Sequence, residues 1–403
     1  MSEQESPAAF GARARQWIIS NLPPAGGPEG LEVHDAAELR LVAEARQLQK
    51  LIFDAGFAGI RYPPEYGGQG LTRAHQLAWR EAAAGYQLPM AFNVTHGILG
   101  PTLLDFGTQE QKARHLPAML SGEELWVQFL SEPAAGSDLA AVQARARQQD
   151  DGSWRLSGQK VWTTNAQFAS YGLLLARTDA DVPKHKGLTM FVVPMDAEGV
   201  TVRGLRQISG EAEFNEVFFD DVSLDEGAVV GGVGNGWGTA LTTLMFERVT
   251  IGLGSEGMGY NSTRFAGAIA ADEHARRDPE VRHQLGEIVS ELLAVRFTGY
   301  RTLTALQKGQ IPGPEAGLAK ITIVKGAIQA GDLIGDVLGP DALGDDSEWA
   351  YMISFLPGLK SAGGTEEILR NTIGERVLGL PPAPRLDKGI PFSELRSKET
   401  AAA

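Results

Sequence analysis

The sequence predicts an α+β multi-domain fold: an N-terminal helical domain over 1–124, a central β-barrel or sandwich over 125–233, and a C-terminal four-helix bundle over 234–403. Three observations lead there. Before about residue 121 apolar residues recur at the three-to-four spacing of amphipathic helices. From about Leu125 the texture changes to seven short β-rich segments separated by Gly, Asp or Pro, within about 100 residues. From about Thr239 long helical periodicities return and continue almost to the end.

In the first region helices are expected over 36–121. LRLVAEARQLQKLIFDAGF carries the helical period, PPEYGGQG breaks it with Pro and Gly, and QLAWREAAAGY and GILGPTLLDFGTQEQKARHLPAML resume it. Thr108, followed by Glu110 and Gln111, reads as a helix start. The seven strand candidates are WVQFLS, AVQARARQQ, SWRLSGQKVW, YGLLLART, LTMFVVPM, GVTVRGL and FNEVFFDDVSL, with QQDDGS and FDDVSLDEG as acidic turns. GVGNGWG at 232–238 marks the exit from this region; it lacks full G-x-G-x-x-G spacing and a surrounding βαβ unit, so it reads as a linker. Four helices are then expected over 239–270, 279–309, 314–339 and 365–379. The tail beyond Leu380 is Pro-rich, then polar, and is expected to fray.

Composition excludes several classes. The 403 residues, 43% of them hydrophobic, allow an ample core. A net charge of −14 repels phosphate backbones at long range, against nucleic-acid binding, while leaving room for a local basic patch to hold a polyanion. With no cysteine there is no disulfide, thiolate metal site or thiol nucleophile, and the seven histidines are scattered, so no metal site is expected. The N-terminus lacks an unbroken apolar h-region, and no run of about 18 apolar residues is present to span a bilayer. A cytoplasmic location is the expectation.

Two segments carry the chemistry. LSEPAAGSD (130–138) offers a hydroxyl and an N–H at a strand end in Ser131, then a tight turn of small residues. VWTTN (161–165) supplies an aromatic and two hydroxyls on a second strand. Each alone is an ordinary turn or core element. Together, inside a β-rich region and with SAGGTEEILRN at 361–371, they resemble the signature of the acyl-CoA dehydrogenase family, and further family-like segments run from RYPPEYGGQG near residue 61 to Pro381. The three-region order also matches that family's architecture.

The resemblance implies an FAD cofactor held by Gln128, Leu130, Ser131, Ser137, Trp162, Thr164, Thr365 and Glu367. Gln128, Leu130 and Ser131 line the pyrimidine side, Trp162 packs on the ring, Thr164 lies near N5, and Ser137 lies near both flavin and acyl-CoA. Thr365 and Glu367 open a helix where free N–H groups and the dipole can meet the ribityl–phosphate part; from the residues alone, Thr365 with a following Glu reads equally as a plain N-cap. One departure stands out: the Arg-x-x-Phe-Gly stretch of many members is missing around FAGAIAADEHARRDPEV. Either Arg276 or Arg277 substitutes, or the adenosine half is held differently.

Such an enzyme needs a carboxylate to take the α-proton and donors for the thioester oxygen. In the best-known branch the base directly precedes the Gly-Thr pair, where this chain has Gly363. A second branch, isovaleryl- and long-chain-like, places a Glu followed by Arg in the first long C-terminal helix, and here LMFERV places Glu247 and Arg248 there. A helical Glu is ordinarily half of an ion pair; with apolar Met245 and Phe246 beside it and Gly363 vacant as a base, Glu247 is the candidate catalytic residue. An apolar surround raises a Glu above its usual value of about 4.3, toward what a base near neutral pH needs. Ser137, Arg248 and Gly363 are the substrate-binding candidates, Gly363 through its N–H.

The expected activity is FAD-dependent α,β-dehydrogenation of an acyl-CoA to the trans-2-enoyl-CoA. Electrons would pass to an electron-transferring flavoprotein, in a homo-oligomer with the tetramer favoured. Alternatives are a flavin monooxygenase or oxidase of the same fold, or one subunit of a heteromeric dehydrogenase. Lys184, His185 and Lys186 form a small basic cluster that reads as a solvated turn before it reads as a CoA phosphate contact.

Overall fold

A computed structural model describes residues 5–24, 35–253, 262–308, 313–344, 347–385 and 387–395. The N-terminal region contains helices α1 (Pro7–Asn21), α2 (Asp35–Asp54), α3 (Arg73–Ala83), α4 (Gly100–Phe106) and α5 (Gln109–Ser121). Helix α1 lies ahead of the helical stretch expected from the sequence. Ser6 caps it, and Gly11 lets it close on α3, since a Cβ there would sit 3.1 Å from the Cβ of Ala78. Phe10, Ile18, Phe57 and Trp79 fill the space between them. Thr108 starts α5 as expected: its hydroxyl accepts from Gln111 N–H at 3.2 Å, and the Gln111 side chain accepts from Thr108 N–H at 3.0 Å.

All seven expected strands form: β1 (Trp126–Phe129), β2 (Arg145–Gln148), β3 (Trp154–Thr164), β4 (Tyr171–Arg177), β5 (Leu188–Pro194), β6 (Val200–Leu205) and β7 (Phe214–Leu224). A two-residue β8 (Val229–Val230) completes one mixed sheet ordered β6-β7-β3-β2-β4-β5-β8, with β1 parallel to β4. QQDDGS is the β2–β3 turn, whereas the Asp-Asp of FDDVSLDEG stays within β7, where Asp221 takes φ 50°. The sheet curls on itself. Trp154 of β3 meets Phe191 of β5 with ring centroids 5.1 Å apart, and Phe129 of β1 meets Phe219 of β7 at 5.3 Å. That closure places one core inside the curl. A second core covers the outer face with α4, α5 and α6 (Gly236–Leu253). Along β4, Leu173 and Leu175 face one core and Leu174 and Ala176 the other, which is why the strand is continuously apolar. Gly236 opens α6 pressed on the sheet: a Cβ there would lie 2.5 Å from the Thr189 nitrogen.

The C-terminal region contains α7 (Ser262–Ala271), α8 (Glu273–Arg277), α9 (Pro279–Gln307), α10 (Gly317–Leu338), α11 (Glu348–Phe355) and α12 (Glu366–Arg376). The helix expected over 239–270 is represented by α6 and α7; 254–261 lie outside the described residues. Helices α8 and α11 add to the four expected, and Met352 of α11 and Leu356 just beyond it close the core formed by Ile288, Val324, Ala327 and Ile334. No helix among the described residues is long and apolar enough to cross a membrane.

The expectation of a frayed tail is corrected for 387–395. Phe392 N–H donates to Val182 O at 3.0 Å and Ser393 N–H to Ala180 O at 2.9 Å, while the Phe392 ring lies 3.8 Å from the Arg177 guanidinium carbon. The basic cluster lies on a turn with His185 and Lys186 exposed, as the solvated-turn reading expects, while Lys184 is tied down. Lys184 Nζ lies 2.6 Å from both Asp138 and Asp387, and His185 packs edge-on against Trp237. Lys184, paired on both sides, is not free to meet a phosphate.

Candidate active site

The two chemistry-bearing segments are fastened side by side. Val161 N–H donates to Ser131 O at 3.0 Å, where the sheet register slips between Lys160 and Thr163. Behind the turn, Lys160 is fully buried; its ammonium donates to Leu130 O at 3.0 Å and to Glu132 at 2.8 Å. The Glu132 carboxylate also accepts the N–H groups of Gln143 (2.6 Å) and Ala144 (2.9 Å). Burial pulls the Lys160 ammonium down to about 8, against the opposing pull of Glu132. The pair sets the path of 130–135, and the residues that follow, Gly136, Ser137 and Asp138, stay exposed.

The register slip has a second consequence. Trp162 adopts φ 62°, a left-handed conformation costly for a bulky residue, and its side chain is 61% exposed. Thr164, two residues on, is half-buried and pairs with Phe214, while Thr163 between them is buried.

Glu247 reaches this region from α6. The helix is docked on the same face at two points: Thr102 Oγ1 donates to Thr243 Oγ1 at 3.2 Å, and Thr250 Oγ1 donates to Gly97 O at 3.0 Å. Thr243 precedes Glu247 by four residues and Thr250 follows by three, so the carboxyl points with them toward β1 and the N-terminal helices. Glu247 is half-buried. Burial raises its pKa above the ordinary glutamate value, opposed by a hydrogen bond from the Gln128 side chain and by the charges of Arg248 and Lys320. Gln128 stands on the outer face of β1, and its Oε1 is buried without a partner.

The third part is the turn before α12. Gly363 and Gly364 have φ 63° and 88°, and Thr365 caps the helix by accepting from Ile368 N–H at 3.3 Å. Glu367 is exposed, and its own backbone N–H, then the Thr365 hydroxyl, hold its carboxyl below the usual range. With Glu366 and Glu367 both in the first turn, this helix start already carries negative charge. It suits a hydroxyl-bearing stretch of ligand better than a phosphate.

One buried cation beside this turn escaped the sequence reading. Lys320 of α10 is 5% exposed, and its ammonium donates to Lys360 O at 2.8 Å and Gly364 O at 3.0 Å. The available signal was a lone cation at a core position of an apolar helix, GLAKITIV.

Of the remaining candidates, Leu130 is buried and Ser131 half-buried, while Ser137 and Arg248 are exposed. Arg277 pairs with Glu273 at 2.8 Å on the surface, and Arg276 is exposed.

These features fit a flat, hydrogen-bonding cofactor: an exposed indole, an orphaned amide oxygen, and a turn without side chains at Gly363 and Gly364. The class they define is borne out by comparison. Family models match in succession: acyl-CoA dehydrogenase N-terminal domain over 28–123, middle domain over 128–222 and C-terminal domain over 234–378. The chain belongs to the acyl-CoA dehydrogenase family; it is an FAD-dependent enzyme of that class. It is 38% identical over 384 residues to the acyl-CoA dehydrogenase IpdE1 of Mycobacterium tuberculosis, covering 92% of this chain and 97% of that protein. Among solved structures it resembles the Tcur3481–Tcur3483 steroid ACAD (27% identity, TM-score 0.78, 94% of this chain and 100% of that one). It also resembles the ChsE4–ChsE5 complex from Mycobacterium tuberculosis (25% identity, TM-score 0.74, 95% and 100%).

Proposed function

We propose that this chain desaturates an acyl-CoA between its α and β carbons, giving the trans-2-enoyl-CoA, with Glu247 as the base. The observation that carries this is the half-buried Glu247 carboxyl beside Gln128, its pKa raised by burial, together with a glycine at position 363. Burial weakens the acid and so strengthens its conjugate base, while Gln128 and the two cations keep the charged form attainable. The Gly363 N–H donates to the thioester oxygen as negative charge develops there. Ser137 and Arg248, both exposed, bind the CoA portion. FAD, when bound, supplies the acceptor for the β-hydride at N5.

In this reading the cofactor is held by Gln128, Leu130 and Ser131 on the pyrimidine side and by Trp162 and Thr164 at the ring. Thr365 and Glu367 take the ribityl hydroxyls. The partnerless Gln128 oxygen supplies an acceptor for a ring N–H. The domain limits at 124/125 and 233/234, a cytoplasmic location and transfer of electrons to an electron-transferring flavoprotein go with it.

The test is an anaerobic panel of acyl-CoA thioesters, one bearing a steroid ring because a similar structure is titled a steroid ACAD. Bleaching of the flavin absorbance by any of them supports the reading. Inert flavin across the panel, with turnover of reduced flavin and oxygen, favours the monooxygenase or oxidase alternative.

A homotetramer is the assembly we favour, with a heteromer as the second reading. Val289, Leu293, Phe297 and Tyr300 leave an apolar stripe on α9, which subunit contact would cover. Two similar structures are titled as two-component assemblies, which favours a different chain as the partner. Mass and FAD content of the chain purified alone separate these: a tetramer with one FAD per subunit excludes the heteromer.

A further inference from the structure

Ser137 makes no hydrogen bond among the described residues, so its neighbours along the chain set its place. On one side the chain is closed by a reciprocal backbone pair: Glu132 N–H donates to Ala135 O at 3.1 Å, and Ala135 N–H donates to Glu132 O at 3.0 Å. On the other side the very next residue, Asp138, is tied to Lys184, whose Nζ lies 2.6 Å from its carboxylate. Between these anchors packing does little, since a Cβ at Gly136 would meet nothing within 4 Å.

Lys184 is itself held at both ends. Its ammonium lies 2.6 Å from Asp387 of the docked C-terminal segment. Its carbonyl oxygen accepts from Arg177 Nη1 at 2.8 Å, while Arg177 Nη2 donates to Ala140 O at 2.6 Å, two residues beyond Asp138. The Phe392 ring covers that guanidinium. The Lys184 side chain is 12% exposed, against 56% for Asp138 and 33% for Asp387, so the cation is the enclosed member of the three. A lysine ammonium rides on a flexible four-carbon stem and ordinarily fixes nothing. This one is held in place, and it can therefore hold a neighbour.

We propose that Lys184 is a positioning residue for acyl-CoA binding: it joins Asp138 to the C-terminal Asp387 and so fixes the adjoining Ser137 against the CoA portion of the substrate. The proposal rests on the reading of Ser137 as a CoA contact. It gives the C-terminal segment a part in binding, through Asp387 on the ammonium and Phe392 on Arg177. A direct field effect would differ in sign. CoA is a polyanion, so through the field alone loss of the Lys184 charge weakens binding and loss of the Asp387 charge strengthens it. Positioning makes both losses weaken binding.

The experiment titrates coenzyme A calorimetrically into the FAD-loaded full chain as wild type, Ser137→Ala, Lys184→Met, Asp387→Asn, and Ser137→Ala combined with each of the other two. Asp387→Asn is expected to weaken binding roughly threefold and Lys184→Met roughly fivefold, the scale of a partly exposed ion pair. In the Ser137→Ala background neither should weaken it further, because the contact that they support is already gone. Unchanged or tighter binding by Asp387→Asn overturns the proposal, and so does an undiminished effect of either substitution in the Ser137→Ala background. If Lys184→Met does not fold, Asp387→Asn alone decides, since its sign and its dependence on Ser137 are both measured. Failure of the underlying reading shows separately: Ser137→Ala then binds coenzyme A as wild type does, and the proposal falls with it.

Discussion

Val161 gives its backbone N–H to the carbonyl oxygen of Ser131 at 3.0 Å, and this bond joins two segments thirty residues apart into one surface. It falls where β3 slips register against β7, so the irregularity that turns Trp162 outward also brings in the strand end carrying Ser131. Lys160, one residue earlier, fastens the same strand end from behind. A regular β3 would point the residue at 162 differently and leave the turn unsupported.

Glu247→Gln keeps the volume of the side chain and removes its basicity. The variant is expected to bind FAD as wild type does and to lose flavin reduction by acyl-CoA at least ~10³-fold, about 4 kcal/mol of transition-state stabilisation. Stopped-flow absorbance with the best thioester of the panel measures it; a loss under tenfold would remove Glu247 from the mechanism.

The raised Glu247 pKa sets opposite trends for activity and stability. Activity needs the carboxylate, so the rate climbs as pH rises through the raised folded value. The folded chain holds this proton to higher pH than the unfolded chain does. The group's stabilising contribution is complete below the ordinary glutamate range and is lost as pH rises through the folded value. Melting temperatures of Glu247→Gln and wild type, compared across pH, should therefore diverge in favour of the variant as pH increases. A constant difference would contradict the burial argument.

The buried Lys160–Glu132 pair predicts a coupled loss. Lys160→Met leaves a buried carboxylate without its cation and is expected to cost about 3–5 kcal/mol in urea unfolding. Lys160→Met combined with Glu132→Gln should cost less than Lys160→Met alone. Simple addition of the two single losses would mean that the charges do not interact.

Trp162 is one of seven tryptophans and is exposed in a left-handed conformation. Trp162→Leu is expected to weaken FAD binding by about 1 kcal/mol, roughly fivefold, and to remove part of the fluorescence quench that accompanies binding. An unchanged quench would place the flavin elsewhere.

The docked tail is tested by Phe392→Ala. The ring is 6% exposed over Arg177, so its removal should cost about 3 kcal/mol, near the lower end for a buried Phe. If urea midpoints do not move, the segment contributes nothing to the fold.

Helical and strand periods are local properties, and they carried the three-region order and all seven longer strands. Several elements escaped because their signals are weak or distant, three of them instructive. Helix α1 lies close to α3 where Gly11 meets Ala78, a contact 67 residues away. Helix α11 is eight residues long, too short to display a period. The 387–395 segment is polar and Pro-containing, and only a surface offered by 180–184 makes it order.

The site divides in the same way. By themselves the residues determined which side chains were available: a Glu in an apolar helix, a glycine where another branch has its base, and small residues beside an aromatic. Tertiary structure alone decided which of them meet. Gln128 reaches Glu247 because β1 and α6 share a core, and Lys320 reaches Gly364 because α10 packs beneath the α12 turn. The pKa of a carboxyl and the aim of a backbone N–H depend on what surrounds them in space, and chain order does not encode that neighbourhood locally.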